Sequence, residues 1–99
     1  MAGPVITRQP AEGTSSSTFD LQIDGAGRGY LEYSLPDAAT MVIHFVEVDP
    51  DLRGRGLGER LVGAAVAWAR EERRGVVARC SYARAVISRT PAYQDVVKK

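Results

Sequence analysis

The chain carries one cysteine, Cys80, in 99 residues, so it cannot close an internal disulfide, and no cysteine or histidine cluster accompanies it to hold zinc. No metal is expected, and a reducing compartment, the cytoplasm, is the expected place. No run of ~20 apolar residues is present to cross a bilayer, and the first residues lack a basic segment followed by an apolar one. A membrane partner is therefore not expected. Excess charge of one sign is also missing: 13 Lys and Arg stand against 12 Asp and Glu, for a net charge of +1. Proteins that bind nucleic acid through phosphate contacts carry a distinct basic surplus, so the balance argues against nucleic acid as the main partner, and none is expected. Internal repeats are absent as well. What remains, 44% apolar and 25% charged residues, describes one globular domain, residues 1–99, with one core and no room for a separate substrate domain.

Hydrophobic periodicity divides that domain into alternating elements. Pro4–Arg8 reads as a short first strand, Gln9 to Thr18 as a Pro/Gly/Ser/Thr-rich connection, and Phe19–Ile23 with Gly29–Ser34 as a hairpin about the Asp24–Gly27 turn. After a Pro36-Asp37 turn, Thr40–Val48 is almost continuously apolar, the pattern of a central strand covered on both faces. From Leu57 to about Arg73, residues Leu57, Leu61, Ala64, Ala65 and Trp68 recur at helical spacing, with Val62, Val66 and Ala69 widening the stripe and Gly75 as the stop. Val76–Cys80 reads as a strand. Strand, helix, strand in this order makes Thr40–Val48 and Val76–Cys80 parallel neighbours. Ser81 is the expected cap of a last helix, Tyr82–Arg89, packed through Ala85 and Ile87, and Pro91 opens a short final turn. The fold class is α/β: a mixed, mainly antiparallel sheet with one parallel strand-helix-strand step and about two helices.

Local charge is concentrated where the central strand meets the long helix, in Val46-Glu47-Val48-Asp49-Pro50-Asp51-Leu52-Arg53-Gly54-Arg55-Gly56-Leu57-Gly58. Backbone N–H groups at a helix start have no intrahelical acceptor, and the helix dipole adds roughly half a positive charge there, so a phosphate or diphosphate is the expected guest. Gly54, Gly56 and Gly58 let the main chain approach it, and Arg53 and Arg55 can add charge-assisted hydrogen bonds. A Walker loop would need Lys then Ser or Thr after its last glycine, and here Glu59 and Arg60 follow. A dinucleotide fingerprint would need a glycine where Glu59 stands. The pattern [Q/R]-x-x-G-x-[G/A] is satisfied by Arg53, Gly56 and Gly58 in a strand-loop-helix setting.

With that loop, with Cys80-Ser81-Tyr82-Ala83, and with Arg89-Thr90-Pro91-Ala92-Tyr93-Gln94-Asp95-Val96-Val97, the chain resembles the GNAT superfamily of acetyl-coenzyme A dependent N-acetyltransferases, and within it the very short members lacking the N-terminal helices. The match covers most of residues 19–97. Thr90 replaces a common histidine of the tail, and Phe45-Val46 stands where the short members often have His-Thr, so no role of those side chains carries over. The resemblance implies a coenzyme A diphosphate held by Arg53, Gly54, Arg55, Gly56, Leu57 and Gly58. It also implies a pantetheine arm gripped by main-chain groups of Val46 and Val48, and a Cys80 near the thioester. The implied partners are acetyl-coenzyme A and an amine acceptor, small molecule or peptide, in an open site or one completed by a second copy of the chain. A coenzyme A binding or regulatory module without turnover is the rival.

Acetyl transfer needs a held thioester, a neutral amine, a stabilised oxyanion and a proton for the departing thiolate. Glu47, a carboxylate at the end of a central strand, is the candidate base, although its parity with Ile43 and Phe45 also fits a buried, paired group. Cys80 is the candidate acetyl acceptor or a lining group, its thiol standing at a possible helix start. Against this, a lone cysteine often serves as a small core hydrophobe. His44 is expected to be packed or hydrogen-bonded in its strand, and Tyr82 is either an acid for the thiolate or a packing group.

Overall fold

The computed structural model describes residues 3–10 and 16–98. Five strands, β1 (Val5–Gln9), β2 (Ser17–Ile23), β3 (Ala26–Asp37), β4 (Thr40–Val48) and β5 (Gly75–Ala78), form one sheet in sequential order. The first three pairings are antiparallel, and β4 with β5 is parallel. Parallel strands need a crossover, here supplied by helix α1 (Leu57–Glu71); helix α2 (Ser81–Ser88) and a 3-10 turn over Pro91–Val96 follow β5. The expected mixed sheet with one parallel step is what the chain forms. The hairpin strand is longer than its alternation suggested, because β3 continues through a bulge at Leu35-Pro36, where a residue without an N–H is tolerated. Gln9 ends β1 and Ser17-Thr18 begin β2; the middle of the expected connection, residues 11–15, lies outside the described residues.

One face of the sheet builds the core. Phe19 and Leu21 of β2, Leu31 and Tyr33 of β3, and Met41 and Ile43 of β4 are buried against Leu61, Val62, Ala65, Val66 and Ala69 of α1 and Ala83, Val86 and Ile87 of α2. Alternation explains the strands, and the 3.6-residue period explains α1. In α2 the packing positions are Ala83, Val86 and Ile87; Ala85, expected inside, is exposed because residues two apart on a helix lie on roughly opposite sides, so Ala85 cannot share the buried face of Ile87. Phe19, Tyr33 and Trp68 meet with ring centroids 5.3–6.3 Å apart, and the Arg8 guanidinium lies 4.7 Å from the Trp68 ring centre.

The end of α1 differs from expectation. Arg73, at φ 58°, takes the left-handed position; its N–H bonds Arg70 O and the Arg74 N–H bonds Ala69 O, closing a Schellman cap. Gly75 has another duty: a Cβ there would lie 3.0 Å from Lys98 Cβ, where the C-terminal segment runs along the β5 edge through Lys98 N–H to Val76 O. Among the described residues no helix is long and apolar enough to cross a membrane.

Candidate functional site

The site begins with an extra residue in β4. Tyr33 pairs with Ile43 but Glu32 pairs with Phe45, so His44 is a β-bulge. A bulge reverses strand parity. Val46 and Val48 therefore turn to the core side with Ile43, while Phe45 and Glu47 turn outward and are exposed. The parity that made Glu47 a companion of Ile43 is undone by this one residue. His44 itself is hydrogen-bonded to Ser34, Nε2 to Oγ at 2.7 Å, as expected for a strand histidine outside the chemistry.

The bulge also marks where the parallel pair parts. Register with β5 stops at Ile43 and Ala78, with one last bond from Arg79 N–H to Ile43 O. Beyond it, the Asp49 N–H bonds Arg28 O at 2.9 Å, which sets the alternation of the β3–β4 ladder. Glu47 and Phe45 then address β3, and the main-chain groups of Val46 and Val48 point to the opposite edge, where β5 is no longer a neighbour. A strand edge with open N–H and C=O groups inside a fold is a place for an extended guest.

The turn after β4 is fixed from a distance. Arg28 donates from Nε to Asp49 Oδ2 and from an Nη to Asp51 Oδ2, both at 2.7 Å. That ion pair holds the Asp51 carboxyl below the ordinary range and raises the Arg28 guanidinium. From this anchored turn Arg53 leads into Gly54 (φ 84°) and Gly56 (φ 74°), both in the left-handed region where a side chain would be strained. Gly56 is the N-cap of α1 and offers no side-chain cap. Its carbonyl accepts the first helical bond from Arg60, so the N–H groups before Arg60 lack helical acceptors.

These parts enclose a cleft of about 540 Å³ lined by Val46, Glu47, Val48, Arg53, Gly54, Gly56, Gly58, Glu59, Tyr82 and Arg89. Seven of the ten sequence-selected residues, Val46, Glu47, Val48, Arg53, Gly54, Gly56 and Gly58, thus stand together. Arg55 is exposed but outside the walls. Leu57 is a core residue, so only its main chain belongs to the helix mouth. Cys80 is also outside: β5 ends at Ala78, so Cys80 becomes the N-cap of α2 and packs, half-buried, against the core. Ser81, expected as that cap, is the first helical residue instead.

Of the three remaining wall residues, Tyr82 is the one the sequence offers as an acid or a packing group, while Glu59 and Arg89 carry no signal in the sequence. Tyr82 fills the space a Gly58 side chain would need, since a Cβ on Gly58 would lie 2.6 Å from the Tyr82 hydroxyl. Partial burial, then the nearby Glu59 charge, pushes the Tyr82 pKa up, so the hydroxyl keeps its proton as a donor. Glu59 and Arg89 pair across the cleft. No local pattern announces that pair, whose members are 30 residues apart, or the Arg28 tether, 21 and 23 residues from its partners. A diphosphate fits the donor set at the helix mouth: unpaired amides, a helix dipole, and Arg53 with Arg89 as cations, against the carboxylates of Glu59, paired to Arg89, and Glu47 on the strand wall.

A second cleft of about 460 Å³ lies against the other side of the β4 end and shares Glu47, Val48 and Arg53 with the first. Tyr30, the ladder partner of Glu47, lines it, and burial followed by the Glu47 and Glu32 charges raises the pKa of its phenol.

Comparison with known proteins bears on the family and the fold. The family model described as GCN5-related N-acetyl-transferase matches residues 18–96. No curated protein matches the chain. Among solved structures, a GCN5-like protein from Staphylococcus aureus is 26% identical over 95% of this chain and 87% of its own, with a TM-score of 0.68. A GNAT family acetyltransferase from Elizabethkingia anophelis with acetyl-CoA bound shares the fold at 13% identity, TM-score 0.68, covering 86% of this chain and 72% of its own. A tandem GNAT protein from the clavulanic acid biosynthesis pathway is 29% identical over 71% of this chain, TM-score 0.59; the present chain spans only 22% of its length.

Proposed function

Because the chain belongs to the GCN5-related N-acetyltransferase family, we propose that it transfers the acetyl group of acetyl-coenzyme A to an amine, using the cleft at the parted end of β4. The observation that carries this reading is the parting itself: β4 leaves β5 at the His44 bulge beside an uncapped helix start, so a diphosphate seat and an open strand edge face one cleft. Gly54, Gly56, Gly58 and the Leu57 main chain would seat the diphosphate, with Arg53 and Arg89 as counter-charges; Arg55, exposed beside the loop, is not among the lining residues. The Val46 and Val48 main chains would hold the extended arm, and an N–H at that edge would stabilise the oxyanion on the carbonyl.

The reaction forms one carbon–nitrogen bond, breaks the carbon–sulfur bond, takes one proton from the amine and returns one to the thiolate sulfur. Glu47, exposed on the wall between the two clefts, is the proton acceptor in this reading. Such a group contributes ~10²–10⁴-fold when positioned. An α-amine of pKa about 8 needs it less than a lysine near about 10.4. Tyr82 supplies the returning proton. Transfer is direct, because the Cys80 side chain packs toward the core; acetylated Cys80 found by mass spectrometry during turnover would overturn that step.

The test is calorimetric titration with coenzyme A and with pantetheine, which lacks the diphosphate, followed by an amine-dependent thiol-release assay. Coenzyme A should bind at least ten-fold tighter. Equal affinities would put the diphosphate elsewhere, and tight binding without amine-dependent release would favour the regulatory reading.

A further inference from the structure

Both helices pack on one face of the sheet, and the core cluster contains residues of that face alone. Among the described residues no helix covers the opposite face. Its centre carries two cross-strand rows fixed by register: Asp20, Tyr30 and Glu47 in one, and Thr18, Glu32 and Phe45 in the next. Neighbours within a row stand ~5 Å apart and the rows ~7 Å apart, the spacing of alternate side chains in an extended peptide. Phe45 is 59% exposed. Among the described residues no basic side chain forms an ion pair with Asp20, Glu32 or Glu47: Arg28 is engaged by Asp49 and Asp51, and Arg53, on the wall shared by the two clefts, bonds none of the three. The face therefore presents three unneutralised carboxylates around two aromatic rings. It runs without a break into the second cleft, whose walls include Asp20, Tyr30 and Glu47 and reach the coenzyme cleft at Glu47 and Val48.

We propose that this uncovered sheet face docks an extended basic peptide and delivers a lysine amine along the second cleft to Glu47. The proposal rests on the acetyl-transfer reading and adds the acceptor class and its route. Charge complementarity selects the occupant: flanking cationic side chains meet Asp20 and Glu32, their stems and heads lie over Tyr30 and Phe45, and the target ammonium loses its proton to the Glu47 carboxylate before attack.

The test uses the full chain saturated with coenzyme A and a blocked peptide with one lysine between two arginines, compared with its counterpart bearing glutamates instead. The basic peptide should bind at least ten-fold tighter by calorimetry, less so as salt rises, and be acetylated on its lysine from acetyl-coenzyme A. Asp20→Asn combined with Glu32→Gln should cost the peptide at least ten-fold in affinity while leaving coenzyme A binding unchanged, because neither residue lines that cleft. Phe45→Ala should cost several-fold, independently of charge. Equal binding of the two peptides, indifference to these substitutions, or spermidine binding more tightly than the peptide would overturn the proposal. Peptide titration of the coenzyme-free chain separates the two readings: basic-peptide binding with no coenzyme A affinity would sink the transferase assignment and leave the surface standing.

Discussion

The two halves of β4 are one strand with similar apolar content and opposite fates. Thr40 to Ile43 is buried, laddered to β3 on one side and to β5 on the other; His44 to Val48 is half-exposed and laddered on one side only. Apolar content does not separate them, since Met41, Val42 and Ile43 make up most of one half and Phe45, Val46 and Val48 most of the other. A single bulge residue does, by reversing parity and turning the strand away from its parallel neighbour. The closed half holds the fold, and the open half offers main-chain groups to a guest. Stability and binding should therefore respond to different residues a few positions apart.

The sharpest way to separate the halves is a pair of truncations. Ile43→Ala, in a fully buried position, should cost ~2–5 kcal/mol, whereas Val46→Ala, half-buried at the open edge, should cost less than about 1.5 kcal/mol, both read from urea denaturation. Equal costs would mean that the open half is as tightly packed as the closed one. Next in size, Gly56→Glu places a side chain at φ 74° and a carboxylate in the helix mouth, and should weaken coenzyme A at least ten-fold, about 1.4 kcal/mol, in calorimetry. Unchanged affinity would move the diphosphate seat. Deleting His44 tests the cause directly, because Ile43, Val46 and Val48 keep their faces while the bulge disappears. Coenzyme A affinity should fall several-fold as β4 closes on β5, and a deletion variant that binds normally would show that the bulge does not open the edge.

Smaller effects sharpen the boundary. Asp51 belongs to the open end through Arg28, and Asp95 to the far side of α1 through Arg70. Both carboxyls titrate lower in the folded chain than in the unfolded one, each mainly through its arginine, so the unfolded state takes up protons first. The stability they confer is present above about pH 4 and lost as pH falls through their folded values. The acid limb of a thermal-unfolding series should flatten in Asp95→Asn without touching coenzyme affinity, while Asp51→Asn should flatten it and loosen the binding loop as well. Smallest of all, Arg73→Gly should add ~0.5–1 kcal/mol by relieving the left-handed residue at the α1 cap, with binding unaffected.

Much of this was legible in the chain because it depends on local rules. Periodicity located α1 and its buried stripe, and the Arg53–Gly58 pattern located the helix mouth. The misreadings share one origin. A regular period extended past a place where tertiary packing breaks it gives Glu47 the parity of Ile43, puts Cys80 at the end of a strand and makes Ser81 a cap. Nothing near His44 marks a bulge, and nothing near Cys80 marks the stop of β5 at Ala78. Glu59, Arg89 and Arg28 escape for the complementary reason: each acts on a group across the fold rather than on a sequence neighbour.

The sequence by itself determined the class of fold, the crossover, and a glycine-arginine helix start suited to an anion, because helical and strand periods, backbone freedom at glycine and unpaired helix amides are properties of short segments. Only the tertiary structure decided which edge of β4 lies open, which face of the sheet stays bare, and which side chains from α1 and α2 close the cleft. Those outcomes depend on register between strands, and one inserted residue changes register without leaving a signature in composition.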